Sequence, residues 1–285
     1  MKRIGHERWL LMGLILGGLV CSLAAVPARA DEWSKTYTLT GKPDLRVDTS
    51  DANIHVSTWD QNTIEAKVTT RGYKIGEGGI RIEEHQTGDR VEIVVRFPHG
   101  GFSIGWNDHR VDVNIQMPRE GRVDLRTGDG KIELSNFKGE MLLHSGDGSE
   151  EIVGVDGKLR ALTGDGHIHA NGRFDELDLK TGDGHVDAQA MTGSALAASW
   201  KLESGDGTVT LEVPENLAAD LDLHTGDGHI DLDMPVTTEG KIRQGEIHGK
   251  LNGGDSNFLP TARGHGFDFT IGDQFVADGT KAEAR

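Results

Sequence analysis

Cysteine is almost missing from this sequence: Cys21 is the only one in 285 residues. It sits in a segment built like a secretory signal peptide. Lys2, Arg3 and Arg8 precede a largely apolar run from Trp9 to Val26, and the small-residue site Ala28-Arg29-Ala30 follows. Cleavage is expected after Ala30. Gly13, Gly17, Gly18 and Ser22 weaken a membrane-anchor reading of the run, and Val20 stands where a lipoprotein would carry a small residue before Cys21. The exported chain would then hold no disulfide, although its compartment permits them, so stability must come from packing and backbone hydrogen bonds. No second apolar segment follows, so no transmembrane span is expected after cleavage, and no cell-wall sorting motif is present. The expected location is periplasmic, cell-surface or extracellular.

Positive charge is also scarce, with 30 Lys and Arg against 46 Asp and Glu. Cleavage would remove four basic residues and one acidic one, taking the net charge from −16 to −19. Nucleic acid and anionic lipid are therefore poor partners, because phosphate binding needs the opposite sign. Gly-x-Ser-x-Gly, His-Glu-x-x-His and phosphate-cradling loops are absent. Glycine, by contrast, is abundant: 40 residues, about twice ordinary usage, which disfavours helices.

Much of that glycine lies in one tetrapeptide. Thr/Ser-Gly-Asp-Gly starts at Thr127, Ser145, Thr163, Thr181, Ser204 and Thr225, at spacings of 18, 18, 18, 23 and 21 residues. Apolar residues alternate before each copy, as Val123 and Leu125 or Leu177 and Leu179 do. They alternate again after it, as with Ile132 and Leu134 or Val186 and Ala188. A period of two means strands. Each repeat thus reads as strand, tight corner, strand and second corner, too small to bury its own apolar face. Stacking such units predicts an all-β, parallel β-solenoid of about 18 to 23 residues per coil. Glu150 breaks the pattern where other copies place Ile or Val, so its coil should distort or turn that strand outward.

Outside the repeats the signals are less regular. Residues 31–120 read as an irregular β region continuous with the solenoid, in which Thr49-Ser50-Asp51-Ala52 is a decayed copy of the corner. The repeat region spans 121–276, with Gly253-Gly254-Asp255 and Arg263-Gly264-His265-Gly266 as degenerate final coils, and 277–285 is a loose tail.

The Gly-Asp-Gly ladder, the exported N-terminus and the segment Ile54-His55-Val56-Ser57-Thr58-Trp59-Asp60 together resemble the bacterial putative-adhesin family, a family of unknown function. The likeness covers roughly residues 40–272. It implies a single-stranded, right-handed β-helix and brings no catalytic residues with it.

Two readings of the corner aspartates Asp129, Asp147, Asp165, Asp183, Asp206 and Asp227 stand side by side. Each carboxylate could accept N–H groups of its own turn while glycine supplies unusual dihedrals, or the column could bind Ca²⁺ as a structural module. The repeat lacks the nonapeptide of calcium-binding β-rolls, so no resident cofactor is expected. His144, His167, His185, His224 and His229 flank the corners as a solvated polar face or a transition-metal set. The glycine-aromatic stretch Phe97 to Trp106 contains a candidate contact loop with Phe102 and Trp106. Because repetition alone explains the aspartates, the leading expectation is a non-enzymatic, adhesin-like envelope protein that contacts a surface glycan or an envelope protein. A carbohydrate-active enzyme of the β-helix type is the alternative.

Overall fold

The computed structural model describes residues 31–98, 109–194, 200–215, 217, 219–225, 230–233, 236–238, 246–251, 261–264 and 266–271. The expected signal peptide, Phe102, Trp106, Asp227, His229, Gly253-Gly254-Asp255 and the 277–285 tail lie outside them. No helix among the described residues is long and apolar enough to cross a membrane.

Alternating sequence becomes alternating burial. In β2 (Asp44–Thr49), Leu45 and Val47 point inward, as do Ile54 and Val56 in β3 (Asn53–Trp59). Val123 and Leu125 of β8 (Glu120–Thr127) and Ile132 and Leu134 of β9 (Ile132–Ser135) follow the same rule. Beyond the first corner, β8 pairs in parallel with β10 (Lys138–Ser145), with Lys138 beside Glu120. β10 pairs with the second half of β11 (Glu150–Leu162), and this with the second half of β12 (Ile168–Thr181). On the other side of the corners, β9, the first halves of β11 and β12, β13 (Val186–Ala190) and β15 (Thr208–Val213) form a second parallel run. β14 (Lys201–Ser204) continues the first run.

The whole is nevertheless not a single-stranded parallel β-solenoid or β-helix, and two findings correct that expectation. First, antiparallel pairs are built in. β1 (Asp31–Thr38) and β7 (Arg110–Pro118) flank β4 (Thr63–Arg71), and β5 (Arg81–Thr87) forms a hairpin with β6 (Arg90–Arg96). Farther on, β16 (Ala219–Thr225) and β18 (Val236–Thr238) both run antiparallel to β19 (Glu246–Leu251). Second, spatial order departs from chain order. β2 lies between β6 and β8, and β3 between β7 and β9. At the far end, β20 (Thr261–Gly264) slots between β14 and β16, and β21 (Gly266–Ile271) between β15 and β17 (Ile230–Asp233). The result is one mixed, 21-stranded sheet curled nearly closed about a single apolar core.

Thr87-Gly88-Asp89-Arg90 resembles the corner motif but forms a different turn. It differs from the corner motif only in its last residue, yet Gly88 (φ 61) closes a hairpin there. At the true corners a Cβ on the second glycine (Gly130, Gly148, Gly166, Gly184 or Gly207) would lie 1.8–2.2 Å from the carbonyl oxygen of the adjacent layer. Ala52 carries a Cβ in the same slot of the Thr49-Ser50-Asp51-Ala52 corner, whose carbonyl Gly130 approaches, so glycine is demanded only where a corner stacks this closely on a layer.

Glu150 does not turn outward. It is 1% exposed, in register between Ile132 and Ile168, and the distortion falls later, at register shifts after Val153 and Gly157. Burial pushes its carboxyl well above the usual carboxylate range. The Ser145 amide opposes this slightly, but no donor meets hydrogen-bond geometry with either oxygen.

Candidate functional site

The two outer faces of the sheet differ in chemistry. On β8, β10, β11, β12 and β14, outward cations sit beside outward carboxylates of the next strand. Arg122 pairs with Glu140 at 3.7 Å, Lys158 with Glu176 at 3.4 Å, Arg160 with Asp178 at 3.3 Å and Lys180 with Glu203 at 3.3 Å. Such a ladder satisfies itself and protects the surface against unspecific strand association.

The face carried by β7, β3 and β9 is richer in amides and hydroxyls. Asn53, His55, Ser57 and Trp59 alternate along β3, beside Asp112, Asn114, Gln116 and Pro118 of β7 and Glu133 and Ser135 of β9. The small side chains of Ser57 and Ser135 leave a depression of about 340 Å³, bordered by His55, Glu133, Glu151 and Val153. Val153 is 40% exposed because the alternation that buries Glu150 and Ile152 turns it outward.

The charged groups along this depression are fixed in a chain of alternating sign. Arg110 Nε donates to Asp112 (2.9 Å), and His55 Nδ1 meets Glu133 Oε2 at 2.7 Å while its Nε2 faces Asp112 at 3.6 Å. Lys131 Nζ bridges Glu133 (2.7 Å) and Glu151 (2.5 Å). The Lys131 hydrogen bond holds Glu133 below the usual carboxylate range, against partial burial. For Asp112, burial raises the pKa, but hydrogen bonds from Asn53 and Arg110 outweigh it and the net direction is down. Both carboxylates are thus kept ionised, the wrong direction for a general acid.

At the end of β3 the strip runs into a second depression, of about 390 Å³, at the corner formed by Gly41–Pro43, Trp59–Asn62 and Pro118–Glu120. The Trp59 indole N–H donates to the Thr63 carbonyl (2.9 Å), which pins a half-buried ring. Asn62 Nδ2 donates to the Leu39 carbonyl (2.7 Å).

Of the residues singled out from sequence, Asp129, Asp147, Asp165, Asp183 and Asp206 stand exposed at successive corners. Among the described residues no group of three or more His, Cys, Asp or Glu is placed to hold a metal ion. His167 and His185 stack 5.0 Å apart, 3° from parallel. His167 Nδ1 accepts the His185 amide N–H and His185 Nδ1 accepts that of Thr208, both at 2.9 Å, so these rings tie adjacent layers together.

The hydrogen bonding of the five described corners is carried by the buried hydroxyl that begins each of them, which sequence reasoning passed over. Thr163 Oγ1 donates to the Gly148 carbonyl (2.9 Å) and accepts the Gly166 N–H (3.3 Å). Thr127, Ser145, Thr181 and Ser204 repeat this in their own layers. The signal was present: the slot holds only Thr or Ser. Among the described residues the corner glycines do not adopt left-handed dihedrals either, contrary to expectation; close approach of the layers is what requires them.

Among solved structures the chain is similar to a "putative cell adhesion protein" from Clostridium sporogenes (12% identity, TM-score 0.41, covering 85% of this chain and 99% of that one). It is likewise similar to a "putative adhesin" from Bacteroides fragilis (8%, 0.42, 85% and 97%). A third is a "putative lipid binding protein" from Parabacteroides distasonis (11%, 0.38, 85% and 97%). Among curated proteins the chain has no match. The expected likeness to the bacterial putative-adhesin family holds: over residues 34–258, most of its length, this chain matches and belongs to the Toastrack DUF4097 family.

Proposed function

We propose that this protein is an exported, non-enzymatic, adhesin-like component of the cell envelope, and that the outer face of β3, β7 and β9 is its contact surface for a glycan. The observation that carries the reading is the strip of Asn53, Ser57, Asn114, Gln116 and Ser135 leading to Trp59. Amides and hydroxyls exchange hydrogen bonds with sugar hydroxyls, and a shallow open strip suits a polymer better than an enclosed pocket suits it. Two features weigh against a glycosidase. Asp112 and Glu133 are held ionised, and Glu150, whose pKa is raised, is sealed in the core.

The test is binding of residues 31–285 to immobilised envelope polysaccharides. Ser135→Trp fills the strip, whereas Leu142→Trp places the same bulk on the ion-paired face. The reading expects the first variant to abolish binding and the second to retain it. Equal binding by both variants would sink it, as would release of reducing sugar from the bound polymer.

A further inference from the structure

The corner depression at the end of β3 differs from the rest of the contact face in having an apolar floor. Trp59 and Pro118 are half-buried there, Pro43 is buried at its base, and the three come from separate segments that meet only in the fold. The indole N–H is already committed to Thr63, so the ring offers a surface rather than a donor. The rim is polar and electrically balanced. Asp60 pairs with Arg119 at 3.0 Å and Glu120 with Lys42 at 3.3 Å, leaving the uncharged Gln61 exposed between them.

From this we infer that the depression is a subsite for one neutral pyranose unit, lying against Trp59 and hydrogen-bonded by the Gln61 amide and the rim charges. A sugar ring has an apolar face of C–H groups and a polar equator of hydroxyls, and this depression has the complementary arrangement. The balanced rim gives no net attraction to a charged ligand, and the chain's net charge of −16 repels acidic sugars. A volume of about 390 Å³ accommodates a monosaccharide unit with its neighbours continuing along β3 toward His55. This inference deepens, and rests on, the reading of the outer face as a glycan surface.

The experiment titrates residues 31–285 with hexasaccharides of glucose, mannose and N-acetylglucosamine, by calorimetry and by tryptophan emission. At least one should bind. Trp59→Ala should weaken it about tenfold or more, and Gln61→Ala measurably. Trp59→Phe should keep most of the affinity while abolishing the ligand-induced emission change. Thermal melts verify that each variant folds; if Trp59→Ala does not, Gln61→Ala and the emission signature of Trp59→Phe decide. Binding that survives Trp59→Ala but is lost in Ser135→Trp overturns the subsite and leaves the glycan face standing. No binding of any neutral hexasaccharide, with acidic polysaccharides retained by the same face, overturns the neutral-sugar assignment alone.

Discussion

Replacing Glu150 by isoleucine should make the protein more stable, by an amount that depends on pH. The side chain is 1% exposed between Ile132 and Ile168, and no donor satisfies either oxygen. Its pKa in the fold is raised above the ordinary 4.5, so the folded state binds a proton that the unfolded chain releases. Stability from this group is therefore fully present below pH 4.5 and is lost as pH rises toward the folded pKa, at about 1.4 kcal/mol per unit. The carboxyl's unmet hydrogen bonds add a cost of about 1 kcal/mol at any pH. Glu150→Ile should consequently gain about 1 kcal/mol near pH 4.5, and its advantage should widen as pH rises above that value toward the folded pKa. Urea denaturation of both proteins across this range, followed by circular dichroism, measures the difference directly. A variant less stable than its parent at pH 7, or an advantage that does not grow with pH, would refute the reasoning.

Thr163→Val should cost about 2–4 kcal/mol, because it strips both the Gly148 carbonyl and the Gly166 N–H of their buried partner. Thr163→Ser should cost under about 1 kcal/mol, since Ser145 and Ser204 fill the same slot. Gly166→Ala puts a Cβ 2.2 Å from the Gly148 oxygen and should cost about 3 kcal/mol or more, read as a fall in urea midpoint with unchanged slope. Glu133 is held below its ordinary 4.5, so its contribution is present above that pH and lost as pH falls through the folded value. With its side chain 41% exposed, Glu133→Gln should flatten the acid limb of the stability curve by less than about 1 kcal/mol.

The strands and corners were legible in the sequence because period two and Gly-Asp-Gly are local signals. The order of strands was not. An 18-residue spacing says that two copies can stack but not what else enters between them, and β20 and β21 enter between β14–β15 and β16–β17. Thr87-Gly88-Asp89 begins like a corner yet closes the hairpin of β5 and β6, and the need for a fourth-position glycine follows only from the 1.8–2.2 Å approach of stacked layers. Glu150 was recognisable as an anomaly, but its outcome followed from its neighbours. Turning it outward would flip Ile152 and break the register with Ile132 and Ile168, so the fold buries one carboxyl instead and raises its pKa. For the candidate site, the outward alternation of His55, Ser57 and Trp59 could be read from β3. Its meeting with Pro43, Gln116 and Ser135 could not, because those residues come from segments whose neighbours the sequence left open.

Hydrogen exchange on the chain with and without bound polysaccharide, read peptide by peptide, tests the contact face most directly. The account predicts added protection in 53–62, 112–118 and 132–135 and none in 138–145 or 176–181. Protection confined to the ion-paired face of β10 and β12 would contradict it.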